Sequence, residues 1–331
     1  MAPRECTPGE LLAVSGSYWK TCAMHAGAML DVFTPLAKKP MAALELASKL
    51  AVDARALGML LDALSAMGLL AKDGQSYALT QCAREFLVKD APGYLGHIIG
   101  HHYRLMPSWS RLPETIRTGR QSREWTMCDD DGRSDFLMGM FNIASGIAPV
   151  LAKAIDLSGR KRLLDLGGGP GTYAIHFCLA NPDLTATIFD LPGTRPFAEK
   201  TVAGFGVSGR VDFAAGNYIT DPVPGGFDVA WLSQILHSEG PINAAAIVKK
   251  AVQALKPGGL LFIHEFMLND AKDGPEHAAL FSLNMLLGTE QGQAYSEKEL
   301  RDMIAWAGAK DTRRLDFKGP ADSGVLCAVA A

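Results

Sequence analysis

Apolar residues recur at helical spacing through roughly the first half of the chain, then give way to short, nearly continuous apolar runs. Over residues 8–36, Leu11, Leu12, Tyr18, Trp19, Met24, Met29, Leu30 and Phe33 form an apolar face, which predicts a helix closed by Pro35 and Pro40. Met41–Leu50 reads as a short helix. Val52–Leu70 reads as another, with Asp53 as its N-cap, Leu57, Leu60, Leu61, Leu64 and Met67 at helical spacing, and Gly68 as its break. Leu69–Leu79 reads as a hairpin turning at Asp73-Gly74. Helix, helix, hairpin is the order of a winged helix. Residues 92–120 and Phe136–Ile155 are helical again, separated by a polar loop, Gln121–Asp135, that carries Cys128 and a run of Asp.

From residue 161 strands and helices alternate. The strands are expected at Arg162–Leu166, Thr185–Asp190, Val211–Ala215, Phe227–Ser233, Leu260–Phe266 and Gly324–Ala330. Helices are expected at Thr172–Leu179, Arg195–Phe205, Asn243–Leu255 and Ser296–Ala307, and Lys256-Pro-Gly-Gly259 reads as a stop before a strand. This alternation predicts an α/β fold with a mostly parallel sheet. The domains expected are 1–158, helical with a winged helix, and 159–331, α/β.

Bulk properties narrow the function. A chain of 331 residues with 48% apolar content supports two domains and a sizeable core. A net charge of −3 gives no general attraction to nucleic acid or to an anionic membrane. Basic and acidic residues balance over residues 1–100, and Val52–Leu70 offers only Arg55 as a base, so the winged helix is expected to pack or dimerise rather than to bind DNA. Cys6, Cys22, Cys82, Cys128, Cys178 and Cys327 form no C-x-x-C pair, which argues for reduced thiols and against zinc. Apolar runs break before the ~18 residues of a membrane span. With no signal-peptide pattern at the N-terminus, a cytoplasmic location is expected. His97 and His101 stand at i, i+4 without a nearby carboxylate, so no metal is expected.

The densest chemistry lies in Leu163-Leu-Asp-Leu-Gly-Gly-Gly-Pro-Gly171. An apolar strand runs through Asp165 into Gly167, Gly168, Gly169 and Gly171, and a helix follows. Glycine removes the Cβ that would hold a ligand off the backbone. Backbone N–H groups at a helix start then face a polar or anionic group. Asp190 ends the next strand, where a carboxylate can take both hydroxyls of a ribose.

These residues carry a resemblance. The D-x-G-x-G-x-G pattern looks like the nucleotide loop of class I S-adenosylmethionine (SAM) methyltransferases. Nearly the whole chain resembles the two-domain small-molecule O-methyltransferases of the plant caffeate/flavonoid and bacterial hydroxyneurosporene/antibiotic type. Ile188-Phe-Asp-Leu-Pro192 is similar to that family's acidic-strand motif. Ala215-Gly-Asn-Tyr218 stands where the family has Gly-Asp-Met-Phe, and Ile235-Leu-His237 where it has a catalytic His followed by Asp-Trp. Leu57–Leu79 resembles the family's winged-helix dimerisation domain.

The resemblance implies a class I methyltransferase fold, SAM as cofactor and a homodimer. It implies that Gly167 and its neighbours hold the methionine part of SAM, with Asp165 in the same motif. Asp190, with Leu191 beside it, would hold the ribose. Asn217 and Tyr218 would lie beside the adenine, and Ser233 and Gln234 would flank the cofactor. Met140 would sit beside the reacting methyl, and Ile99 to His102 would line the acceptor pocket. The chain departs from the family at Asn217, at Ser238-Glu239 in place of Asp-Trp, and at Ala294, where plant members place a second catalytic Glu.

Methyl transfer to a hydroxyl needs a base, because a phenol of pKa ~10 is a poor nucleophile at neutral pH. His237 lies past the fourth strand, on the edge where open α/β sheets bind ligands, and histidine is a side chain suited to act as a base near neutral pH. Glu265 ends the next strand's apolar run and is expected to hold the second imidazole nitrogen. His264 faces the opposite side and is expected to be structural. Three functions stay open: O-methylation of a small aromatic or polyketide-like acceptor, C- or N-methylation or non-methylating use of SAM on the same fold, and a SAM-sensing regulator.

Overall fold

The computed structural model describes residues 6–122 and 130–331. The chain divides into two compact units, Met1–Arg104 and Leu105–Ala331. The division thus falls well before the boundary expected near residue 158, and the helices of residues 112–154 go with the second unit.

In the first unit the helix expected over residues 8–36 is three: α1 (Pro8–Gly16), α2 (Tyr18–Met29) and α3 (Phe33–Leu36). A capping box starts α1, with Thr7 Oγ1 accepting from Glu10 N–H and Glu10 Oε2 from Thr7 N–H. Asp31, at φ 54°, turns the chain between α2 and α3. Met41–Ala42 is a short strand, β1, ahead of α4 (Ala43–Leu50), where a single helix was expected. Then come α5 (Ala54–Ala66), whose N-cap Asp53 accepts from Ala56 N–H, and the hairpin β2 (Leu70–Asp73) and β3 (Ser76–Leu79). The strands pair antiparallel in the order β1-β3-β2, completing the winged helix. After α6 (Gln81–Phe86), α7 (Gly96–Ser110) crosses the unit boundary. Phe33, Leu36, Leu46, Leu57, Leu61, Leu64 and Ile99 are part of the unit's core. In contrast, α1 buries no residue at all.

The second unit opens with α8 (Leu112–Thr118), α9 (Asp130–Ser145) and α10 (Ala148–Ala154). Of the loop expected at 121–135, residues 123–129 lie outside the described residues, and from Asp130 the chain is helix. Asp130 and Asp131 sit in its first turn, where acids complement the helix dipole. Next follow β4 (Arg162–Leu166), α11 (Thr172–Ala180), β5 (Thr185–Asp190), α12 (Arg195–Gly204), β6 (Val211–Ala215) and β7 (Phe227–Ser233). The unit ends with α13 (Pro241–Ala254), β8 (Leu255–Glu265), α14 (Glu276–Gly288), α15 (Glu297–Trp306), β9 (Ala309–Arg314) and β10 (Gly324–Ala330). The expected stop at Lys256–Gly259 is an interruption inside β8: partners shift from Phe227↔Leu255 to Val229↔Leu260, with Gly258 at φ 75°.

One sheet results, in the order β6-β5-β4-β7-β8-β10-β9. The first five strands in that order pair in parallel, while β10 runs antiparallel to both its neighbours. Alternating side chains feed two cores: Ala230 and Leu232 join α13 and α15 residues on one face, Val229 and Trp231 join α10 and α11 residues on the other. The chain leaves β4 for β5 on one side and later returns to β7 on the other, so the carboxyl ends of β4 and β7 form the switch point at which open α/β sheets bind ligands. Among the described residues no single helix is long and apolar enough to cross a membrane.

Candidate active site

Because β4, β5, β6, β7 and β8 run in parallel, the residues that follow them meet at one sheet edge. The glycine loop leaves β4 there. Gly167 has φ 67°, and a Cβ on it would come 2.7 Å from Ile235 Cγ2. Gly171 has φ 79°, and its Cβ would collide with Ile188. Both positions therefore require glycine on conformation and on space.

Asp190, at the end of β5, ties into this loop. Its Oδ2 accepts from Gly169 N–H at 2.8 Å, and its Oδ1 accepts from Leu191 N–H at 2.6 Å and Thr194 Oγ1 at 3.0 Å. Burial nevertheless pushes its pKa up. The carboxylate has about four acceptor positions, so these bonds leave room for a ligand hydroxyl. Leu191 beside it is 40% exposed.

Asp165 occupies a different place from the one its motif implied. It is 1% exposed, its Oδ2 accepts from Ala174 N–H at 3.2 Å, and a Cβ on Gly168 would fall 2.6 Å from its carboxyl carbon. The carboxyl group is sealed beneath the loop and supports it from below. Burial first, and then the nearby Asp190 charge, push its pKa up to about 7. The folded protein thus favours protonated Asp165. Stability from this group is complete below the unfolded-state value and is lost as pH rises through about 4 to about 7, at most ~4 kcal/mol. Asp165→Asn keeps a carbonyl acceptor but no charge. Thermal melts across that range are expected to show the variant gaining stability on wild type as pH rises; a difference independent of pH would contradict this.

After β6, Asn217 Oδ1 accepts from Ile219 N–H at 2.8 Å, a local turn that already occupies the oxygen expected beside an adenine. Lys250 Nζ, from α13, donates to the carbonyls of Tyr218, Ile219 and Asp221 at 2.7–2.9 Å and fixes the loop. Tyr218 packs against the glycine loop, its Cε1 3.4 Å from a Cβ position on Gly167. Burial pushes its phenol up to about 12. Nothing in the local sequence marks Lys250 for this role.

After β7 come the residues of closest interest. Ser233 Oγ bonds His264 Nδ1 at 2.9 Å. His264 is 1% exposed and also meets Tyr173 Oη and Ser323 Oγ, and burial pushes its pKa down to about 4. It is a neutral structural group on the far side of β8, as its register predicts. Gln234 has φ 57°, and its Oε1 is buried without a partner among the described residues. His237 Nδ1 lies 2.9 Å from Glu265 Oε2, and Glu265 Oε1 accepts from Leu236 N–H at 2.9 Å. An ionised carboxylate only accepts, so this network puts the imidazole proton on Nδ1 and leaves the Nε2 lone pair available to take another. Phe281, from α14, stands edge-on to the ring at 4.7 Å and 87°. Phe266 and His277 extend that wall, with ring distances to Phe281 of 4.9 and 6.2 Å. Neither α14 nor these rings was anticipated.

The remaining expected residues lie on helices. Met140 is half-buried on α9. Ile99 and His102 belong to the first unit, where Ile99 is a core residue, 6% exposed, and His102 is exposed. His97 packs edge-on against Tyr94 at 5.5 Å. Ala294 is buried, and its methyl side chain supplies no acid. Among the described residues no group of His, Cys, Asp and Glu has the geometry of a metal site.

The residues present fit SAM. The glycine loop leaves no space for a Cβ at Gly167 or Gly171, and Asp190 offers a carboxylate at the adjoining strand end.

Comparison with known proteins gives the family. Residues 112–310 match the model of an O-methyltransferase domain, and residues 12–89 match that of an O-methyltransferase dimerisation domain. The 3-hydroxy-5-methyl-1-naphthoate 3-O-methyltransferase of Streptomyces sahachiroi is 34% identical, over 99% of this chain and 97% of that protein. The tetracenomycin polyketide synthesis 8-O-methyl transferase TcmO of Streptomyces glaucescens is 33% identical, over 95% and 94%. The structure of PigF with S-adenosylhomocysteine (SAH), a protein known from a Serratia strain, superposes with a TM-score of 0.89 at 28% identity, covering 98% of this chain and 100% of that one. The chain belongs to the family of SAM-dependent O-methyltransferases, with that family's dimerisation domain joined to its catalytic domain.

Proposed function

We propose that this enzyme methylates a hydroxyl of a small aromatic or polyketide-like molecule, with His237 as general base. The observation that carries the reading is the His237–Glu265 pair, because it fixes the tautomer that leaves Nε2 free at the ligand edge of the sheet. SAM supplies a methyl on a positive sulfur, open to in-line attack. On this reading the glycine loop and Asp190 hold that cofactor, Tyr218 and Asn217 flank its base, and Met140 lies toward the methyl. Glu265 orients His237 and stabilises the imidazolium formed when it takes the acceptor's proton. The aromatic wall of Phe281 and Phe266 suits a flat acceptor. Two Streptomyces relatives named for oxygen methylation of naphthoate and tetracenomycin compounds support the acceptor class.

Incubating the enzyme with SAM and a panel of hydroxynaphthoates tests this, with products read by mass spectrometry and NMR. Methyl ethers are the expected products. Methylation at carbon or nitrogen, or no transfer to any hydroxylated aromatic, would contradict the proposal.

We further propose a cytoplasmic homodimer assembled through the first unit. Leu11, Leu12, Val14 and Trp19 are 60–73% exposed on α1 and α2, an apolar surface too large to leave in water. Sedimentation velocity at micromolar concentration should give a dimer for wild type and a folded monomer for Leu12→Asp/Trp19→Asp. A wild-type monomer would refute the assembly, and an unchanged dimer in the variant would refute this surface.

A further inference from the structure

His237 stands on a three-residue turn, Leu236–Ser238. So short a helical turn has few bonds of its own, and what surrounds it sets its geometry. Glu265 secures the start of the turn through Leu236 N–H. Its end is secured from elsewhere: Tyr295, just ahead of α15, donates its hydroxyl to the Glu239 carbonyl at 2.5 Å. Tyr295 is 2% exposed, and its ring belongs to the core that β7, α13 and α15 share. Burial pushes its phenol pKa up, so the hydroxyl keeps its proton and remains a donor.

The segment ahead of Tyr295 presses on the same turn. A Cβ on Gly292 would come 2.6 Å from the His237 carbonyl oxygen and 2.9 Å from that of Ser238. One on Gly240 would come 2.5 Å from Gln291 Oε1. Gly292 therefore permits an approach that a side chain would block. The segment is itself anchored. Gly292 N–H donates to Thr289 Oγ1 at 2.8 Å, and Ala294 N–H donates to Ser282 Oγ, on α14, at 3.2 Å. Leu268 N–H, beyond β8, donates to the Tyr295 carbonyl at 2.9 Å. Residues 289–295 thus form a brace, tied to α14 and to the chain after β8, that meets the turn of His237 on its backbone.

We infer that Tyr295 is a positioning residue for methyl transfer: its hydroxyl, through the Glu239 carbonyl, sets where His237 stands, with Gly292 as the close support beneath the turn. The inference rests on the reading of His237 as general base. Tyr295 acts through the backbone and touches no reacting atom. At Ala294, where the resemblance to plant members places a second acid, this chain has a methyl group. It supports the base instead from the next residue, by a bond to the turn that carries the ring.

Tyr295→Phe tests it, because it deletes the hydroxyl and keeps the buried ring. With a hydroxynaphthoate acceptor, turnover should fall about 10-fold, while the acceptor KM and the calorimetric SAH affinity stay near those of wild type. Gly292→Ala, which pushes on the turn at the other contact, should show the same split. The sharpest comparison is Tyr295→Phe made in His237→Ala: with no base left to position, it should cost nothing further. An equal loss in both backgrounds would overturn the inference, because the hydroxyl would then serve the fold at large. Wild-type turnover in Tyr295→Phe, or SAH affinity lost in step with turnover, would overturn it too and leave His237 as the base. If His237→Ala keeps near-normal turnover, or wild type methylates no hydroxynaphthoate, the general-base reading fails and the inference falls with it.

Discussion

Replacing His237 with alanine is expected to lower turnover by about 100-fold or more, the usual contribution of a positioned general base. The affinity for SAH should stay close to that of wild type, because the glycine loop and Asp190 are untouched. Two bonds prepare this residue for its role. Glu265 takes Nδ1–H with one oxygen and Leu236 N–H with the other, so the carboxylate, itself 3% exposed, fixes both the ring and the short turn that carries it. Glu265→Gln should cost less than His237→Ala, since an amide oxygen still accepts from Nδ1 but no longer stabilises the imidazolium. Ala294, where the resemblance to plant members places a second catalytic Glu, is a buried apolar residue and offers no carboxylate. Steady-state kinetics of the two variants with a hydroxynaphthoate acceptor would check the order; Glu265→Gln more damaging than His237→Ala would contradict this division of roles.

Asp190→Ala is expected to weaken SAH binding by on the order of 2–4 kcal/mol, about 30- to 1000-fold, through loss of charge-assisted bonds to the ribose. Part of the loss is indirect, because Asp190 also accepts from Gly169 N–H and holds the loop closed. Asp190→Asn keeps a carbonyl oxygen that can accept from Gly169 while losing the charge and the acceptor for Leu191 N–H, so its deficit should fall between wild type and Asp190→Ala. Burial raises the Asp190 pKa, so binding should also weaken as pH falls and the carboxyl takes up its proton. Calorimetry gives all three numbers, and SAH affinity indifferent to Asp190→Ala would remove the ribose assignment.

The legibility of this chain followed the physics of each element. Strands β4, β5, β7 and β10 were readable because they are bounded, largely apolar runs feeding buried cores. Strand β9, Ala309-Lys-Asp-Thr-Arg-Arg314, was not: it is a polar edge strand with little to bury. Helix α14 escaped because its apolar residues spread around the helix and leave no single stripe. The start of α9 was hidden in an acidic run that reads equally as loop. At the site, the glycines, Asp190, His237 and Glu265 sit at ends of legible strands, so their meeting could be foreseen. Lys250 and Phe281 arrive from helices far along the chain, and only packing reveals what they touch. The sealing of Asp165 and the left-handed turn at Gln234 depend on the folded backbone, which no spacing rule encodes.

The central claim, that His237 takes the acceptor's proton during methyl transfer, is tested most directly by a pH–rate profile. The rate of transfer to one hydroxyl acceptor would be followed for wild type and His237→Ala from about pH 6 to about pH 9, with saturating SAM. The account predicts a wild-type rate that falls on the acid side as the imidazole becomes protonated. In His237→Ala that limb should vanish, leaving a low rate that climbs only as the acceptor ionises by itself. Near-normal rates in the variant across the whole range would contradict it, and would mean transfer by alignment alone to an acceptor that needs no base.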